Sequence, residues 1–212
     1  MPHFERYGSD GQPFDRPVES LGRDIEYYRT VGSTTNRYHA AGQHNCTGGG
    51  TGAPAIDTLI AMPFISPRGG TLDRLAFNVT TVGGALSVAR VGIYTNSSPI
   101  LIYPDALVVD GGQYDTSAVG GTGVKSTTIS QELEAGDLYW FVYLCGTLAP
   151  TIRTLPIAGC YPIFGLDSAL GTAPGVGLTV AQAYGALPST FPAAATVLTA
   201  APAPFVAVRY SA

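Results

Sequence analysis

From Leu59 to the C-terminus, apolar residues fall in short runs of strand length, separated by turns rich in glycine, proline and aspartate. Leu72 to Val79 alternates most clearly: Leu75, Phe77 and Val79 point one way, with Arg74, Ala76 and Asn78 opposite. Ser87 to Tyr94 follows the Gly83-Gly84 turn and sets Ala89, Val91 and Ile93 on the expected core face. Leu138 to Cys145 is apolar on both faces, the pattern of a central strand covered on each side. Leu59 to Ile65, Leu107 to Val109, Val124 to Ile129, Ile152 to Leu155 and Phe205 to Tyr210 complete the set. Pro63 marks the first of these as an edge or a bulge, because proline cannot donate to a ladder. Short strands at this spacing predict an all-β fold, a sandwich or barrel without βαβ units, and a single antiparallel β-sandwich is expected.

Two stretches break the pattern. Between Pro156 and Pro204 the chain is rich in Ala, Gly and Pro, and is expected to form long loops over one end of the sandwich, with a short helix near Thr179 to Tyr184. Residues 1–40 show neither clean helical periodicity nor strict alternation and are interrupted by Pro2, Pro13 and Pro17. A glycine-rich break at Thr47–Gly52 ends this stretch. The organisation expected is an extended N-terminal docking arm, 1–50, and a sandwich domain, 51–212. The arm cannot build a core of its own, so it is expected to gain order against another protein surface. Its aromatic residues Phe4, Tyr7, Phe14, Tyr27 and Tyr28 are the candidate anchors for that contact.

Composition sharpens this picture. Charged residues make up 12% of the chain, about half the usual share, and mean hydropathy is +0.19. Eleven of the 26 charged residues lie within residues 1–40, which leaves the body unusually poor in charge. Such a surface is expected to be covered by partners, since charge is depleted at the centre of protein interfaces. A net charge of −4 without a basic cluster argues against nucleic acid as a partner. No apolar run reaches the ~18 residues of a membrane span. The first residues lack the basic and apolar regions of a signal peptide, so entry to the site of use is expected from the cytosol. Cys46, Cys145 and Cys160 form an odd set, ill suited to a disulfide framework, and Cys145 reads as a small buried hydrophobe.

The candidate chemistry is sparse. His3, His39 and His44 all lie before the sandwich body, and no G-x-S-x-G elbow occurs, so a hydrolase triad is not expected. His39, His44 and Cys46 are zinc ligands by atom type, but they lack a fourth partner and a familiar spacing. Gly120 to Ser126 resembles a phosphate loop until Val124, which separates the last glycine from Lys125 and leads into a strand. Glu132 and Glu134 read as a polar turn feeding the central strand, without the cleft that glycoside cleavage requires. The remaining aspartates are dispersed near turns, and the sequons at Asn45, Asn78 and Asn96 carry little weight without a leader. No catalytic residue, cofactor or metal is assigned.

Three stretches carry a resemblance: Thr71 to Thr80 with Ala89 to Tyr94, Leu133 to Trp140, and Tyr184 to Pro192. Together they resemble jelly-roll-like β-sandwich domains among the virion structural proteins of tailed bacteriophages, found as capsid decorations or tail appendages. The likeness runs from about Ala55 to the C-terminus and excludes the arm. It implies a non-enzymatic protein on the virion surface that contacts other capsid or tail proteins and forms homo-oligomers, trimers among them. It transfers no functional residue. Gly92 is expected at a close strand approach, Gly136 in a turn, and Trp140 as a large core anchor. The alternatives are a receptor- or glycan-binding adhesin, with Tyr103, Tyr114, Tyr161 or Tyr184 stacking on sugars, and a polysaccharide-cleaving enzyme.

Overall fold

The computed structural model describes residues 38–40, 49–98, 100–157, 160, 162–166, 168, 174–200 and 202–211. Thirteen strands and no α-helix are present among them: β1 (Tyr38–Ala40), β2 (Gly50–Gly52), β3 (Thr58–Ile65), β4 (Gly70–Thr81), β5 (Val88–Ser98), β6 (Leu101–Asp115), β7 (Gly123–Leu133), β8 (Leu138–Gly146), β9 (Thr151–Leu155), β10 (Gly177–Ala181), β11 (Thr196–Leu198), β12 (Ala203–Pro204) and β13 (Val206–Tyr210). They form two antiparallel sheets packed face to face. The first runs β1-β13-β4-β9-β12, with β7 also on β4 and β2 also on β9; the second runs β11-β10-β3-β8-β5-β6.

The alternation read from β4 is the alternation seen. Leu75, Phe77 and Val79 enter the inter-sheet core, where they meet Ala89, Val91 and Ile93 of β5 and Phe141, Tyr143 and Cys145 of β8. Leu72 shares that core although three positions separate it from Leu75. The pairing with β13 slips between Arg209 and Tyr210, so Asp73 has no opposite number and the strand recovers its face after an extra residue. Phe64 stacks on Phe141 with centroids 4.4 Å apart, and Phe77 meets Tyr143 edge-on at 5.5 Å. Pro63 sits where β3 has a neighbour on one side alone, since β10 reaches only Thr58 to Ala61.

Beside the bulge, Arg209 clamps Asp73 in a two-point contact, Nε to Oδ1 at 2.8 Å and Nη2 to Oδ2 at 2.6 Å. This hydrogen bond, aided by the guanidinium charge, holds the Asp73 carboxyl below its ordinary value of 3.8. A depressed folded value means that the pair supports the fold above the unfolded value and stops doing so as pH falls through the folded one. Asp73→Asn is therefore expected to lower stability at pH 7 and to differ little from wild type near pH 2, as urea melts at both would read. A constant difference across that range would show that the carboxylate charge contributes nothing.

The apolar outer face of β8 explains the rest of the architecture. Trp140, Val142 and Leu144 point away from the inter-sheet core, with Leu59, Ala61 and Tyr94 beside them, and all are buried. Their cover is the segment 182–195, which lays Leu187 and Phe191 across this face. The expected placement of these residues over one end of the sandwich is thus corrected. Three tyrosines fasten the segment: Tyr94 donates to the Pro188 carbonyl at 2.7 Å and Tyr103 to that of Pro192 at 2.7 Å, while the Tyr184 amide donates to Asp57 Oδ1 at 2.8 Å. Gly92 permits the close approach, because a Cβ there would lie 2.3 Å from Leu187 Cδ1 and 2.6 Å from the Val109 carbonyl oxygen. The short helix expected near Thr179 is also corrected. Residues 177–181 are a strand between β3 and β11, where the open edge of β3 offers backbone partners.

Candidate interaction surfaces

Four residues assigned from sequence to the arm belong to the first sheet: Gly50 starts β2 and pairs with Thr154 of β9, and the other three form β1. Tyr38, His39 and Ala40 pair with Arg209, Val208 and Ala207 of β13, and the His39 ring meets Tyr210 edge-on at 5.5 Å. The arm anchors Phe4, Tyr7, Phe14, Tyr27 and Tyr28 lie outside the described residues, as do His44 and Cys46 of the metal-ligand pattern. Among the described residues no three His, Cys, Asp or Glu side chains converge as a metal site would need.

Lys125, inward-facing on β7, donates to the Gly120 carbonyl and so closes the glycine-rich loop on itself. Glu132 ends the exposed face of β7, while Glu134 begins the turn to β8 and its amide donates to the Tyr139 hydroxyl at 3.1 Å. Gly136, at φ 85°, makes that turn. Asp110 receives both contacts of Arg90 at 3.0 Å and the Gly112 amide at 2.9 Å. Of the tyrosines considered for sugar stacking, Tyr103 packs edge-on against Phe191 and Tyr114 against Phe77, and Tyr184 lies over Gly146. Each is half-buried and fastens one segment to another, and Tyr161 lies outside the described residues.

Two surfaces stand out among the described residues. The outer face of the first sheet carries a groove of about 440 Å³, floored by Ala76 and Ala207 and flanked by Tyr38, Asn78, Val124, Arg153 and Phe205. No carboxylate, thiol, imidazole or aliphatic hydroxyl is among its described lining residues, so it offers shape and apolar contact with a single cation. Arg153 directs one donor to the Gly49 carbonyl at 3.3 Å.

The second surface is the tip of the β5–β6 hairpin, where Ile100 is 96% exposed, Leu101 58% and Ile102 39%. These three aliphatic side chains stand on a braced support. The Asn96 carboxamide donates to the Ser98 and Leu101 carbonyls and accepts from the Tyr103 amide and from Trp140 Nε1, both at 3.0 Å. Ser98 Oγ accepts the Leu101 amide at 3.1 Å, and Ser97 Oγ donates to the Leu101 carbonyl at 3.1 Å. A single asparagine thus uses donors and acceptor together, and ties an exposed apolar tip to the buried tryptophan. Sequence reading passed over this hairpin. Its signal was the Ser98-Pro99 pair between two apolar runs, a turn signature.

No family model matches the chain, and a search of curated proteins finds no significant relative.

Proposed function

We propose that this chain is a non-enzymatic structural subunit on the surface of a tailed bacteriophage particle, a capsid decoration or tail-associated protein that docks to other virion proteins. The observation that carries this reading is the braced tip Ile100–Leu101–Ile102. Water-exposed aliphatic side chains give a monomer no stability, and rigid support lowers the entropy lost on burying them against a partner. The charge-poor body supports the same reading, because desolvating it costs little. The resemblance in β4, β5, β8 and the 184–192 segment supplies the particle as the setting. Of the tyrosines that a glycan-binding adhesin would use, Tyr103 and Tyr184 hold the outer layer and Tyr114 packs against Phe77, which favours the structural role.

Particle incorporation tests this. A chain lacking residues 1–34 keeps β1 and all later strands, whereas removal of 1–50 would strip the edge of β13. The shortened chain is expected to fold, with a cooperative thermal melt, and to be missing from purified particles. Ile100→Asp with Leu101→Asp is expected to cut incorporation by at least about tenfold, since burying a carboxylate forfeits 2 kcal/mol or more. Full incorporation of both variants would overturn the proposal.

A further inference from the structure

The outermost strands of the two sheets are guarded in different ways, and β7 is the exception. β1, β2 and β11 are three residues long and β12 two, too short to template another strand. β6 is longer, but Pro104 and four register shifts against β5 disturb it, and residues 189–191 cover part of its outer edge. There Leu107 N–H donates to the Ser189 carbonyl at 2.9 Å and Phe191 N–H to that of Asp105 at 2.8 Å. β7 runs for 11 residues with no proline, and Gly123 to Thr128 pair unbroken with Val79 to Arg74 of β4.

Among the described residues β7 pairs with β4 alone, and β6 lies alongside it unpaired. Beyond the β4 ladder, the β7 backbone receives one bond, from the Gln131 carboxamide to the Glu132 carbonyl at 2.9 Å. The core-facing row shows the same opening. Lys125, Thr127, Ile129 and Gln131 are half-buried, whereas Leu75, Phe77 and Val79 of β4 are fully buried. Ile129 of β7 and Val108 of β6 pack against the inter-sheet core and stay partly exposed. A strand added beside β7 would extend their cover and pair the backbone groups of its outer edge.

Side chains and charge select the strand that fits. An inward lysine guards many open edges, but the Lys125 ammonium is turned back onto the Gly120 carbonyl, and Asp115 lies close enough to feel its charge. The solvent-facing row is Val124, Ser126, Thr128, Ser130 and Glu132. Antiparallel pairing of two copies about Thr128 sets Thr128 against itself, Ser126 against Ser130 and Val124 against Glu132. On the other face Lys125 meets Gln131 and Thr127 meets Ile129. Hydroxyls, which donate and accept at once, oppose hydroxyls, and neither charged residue opposes its own kind. A parallel pairing in register would set Glu132 beside Glu132, between copies that each carry a net charge of −4.

We infer that two copies of the chain join their first sheets through antiparallel β7 edges, related by a two-fold axis. The backbone supplies the affinity, and the neutral Ser/Thr row supplies a register in which the strand complements itself. The inference rests on the reading of the chain as an assembly subunit and names the edge through which its copies pair.

Sedimentation velocity of the full chain tests it, with wild type expected to form a dimer. Ser126→Lys, Thr128→Lys and Ser130→Lys together are expected to weaken dimerisation at least about tenfold, since lysines then oppose lysines across the axis. All three positions face solvent, so the variant is expected to keep a cooperative thermal melt. Glutamate at the same three positions is expected to weaken dimerisation equally, and an equimolar mixture of the two variants to restore it. In wild type the β7 amides that point away from β4 are expected to resist hydrogen exchange, and to lose that protection in the lysine variant. A wild-type monomer at all concentrations up to about 100 μM, a lysine variant that dimerises as tightly as wild type, or a mixture that stays monomeric overturns the inference. If one of these is found while Ile100→Asp with Leu101→Asp is lost from particles, the edge assignment fails and the assembly role stands.

Discussion

Replacing Trp140 by alanine is expected to cost about 3–5 kcal/mol, the largest effect of any single substitution in the outer layer. The side chain is fully buried among Tyr94, Val142, Leu187 and Phe191, with Phe164 stacked 6.0 Å from it. Its removal leaves a cavity beneath a segment that has little regular structure to collapse with. For a chain of this size the melting temperature would fall on the order of 10 °C or more. A second readout separates packing from bracing. Trp140→Phe keeps most of the ring but loses the Nε1–H that Asn96 Oδ1 accepts. It is expected to retain most of the stability while the Tyr103 amide, bonded to the same oxygen, exchanges faster with solvent. Unchanged exchange at Tyr103 in Trp140→Phe would mean that the hairpin tip is held without the tryptophan.

Alkaline pH is expected to destabilise the protein as its buried thiol and phenols are forced to ionise. Burial pushes the Cys145 thiol up from 9.0 to about 11 and the Tyr114 phenol from 10.0 to about 12. Burial also raises Tyr94, Tyr139, Tyr143 and Tyr184 above the usual phenol value. Each group is neutral in the fold at a pH where the unfolded chain has already released its proton. The unfolded state then binds fewer protons, so stability is whole below pH 9 and falls as pH rises through this window. Between pH 9 and 11 the thiol alone removes about 2–3 kcal/mol, at ~1.4 kcal/mol per pH unit. Urea midpoints at pH 8 and pH 11 would measure the loss, and Cys145→Ala should remove the thiol's share of it. Equal midpoints would show that these groups reach solvent in the folded state.

The strands were legible where side chains alternate or where both faces are apolar. Leu138 to Cys145 announced a strand covered twice, yet the identity of its outer cover was not written locally. Segment 182–195 has few β-branched residues and many small ones, so neither period marks it. Its structure comes from a distant apolar face and from tyrosine hydroxyls that find its carbonyls. The strand at Tyr38–Ala40 escaped notice for a related reason. Three residues hold no period, and their pairing is decided by the open edge of β13 nearly 170 positions away. Gly92 was recognised as a close approach, but the approaching atoms, Leu187 Cδ1 and the Val109 oxygen, belong to other parts of the chain.

By itself the chain's pattern of apolar and polar positions determined an all-β protein, the core-facing side of β4 and β5, and the central place of β8. Those properties follow from the two-residue period and from burial, which act between near neighbours. Only the tertiary structure decided which residues cover Trp140 and how Asn96 braces the apolar hairpin tip. Each of these depends on contacts between positions far apart in sequence, where backbone donors and exposed aliphatic groups are matched by proximity alone.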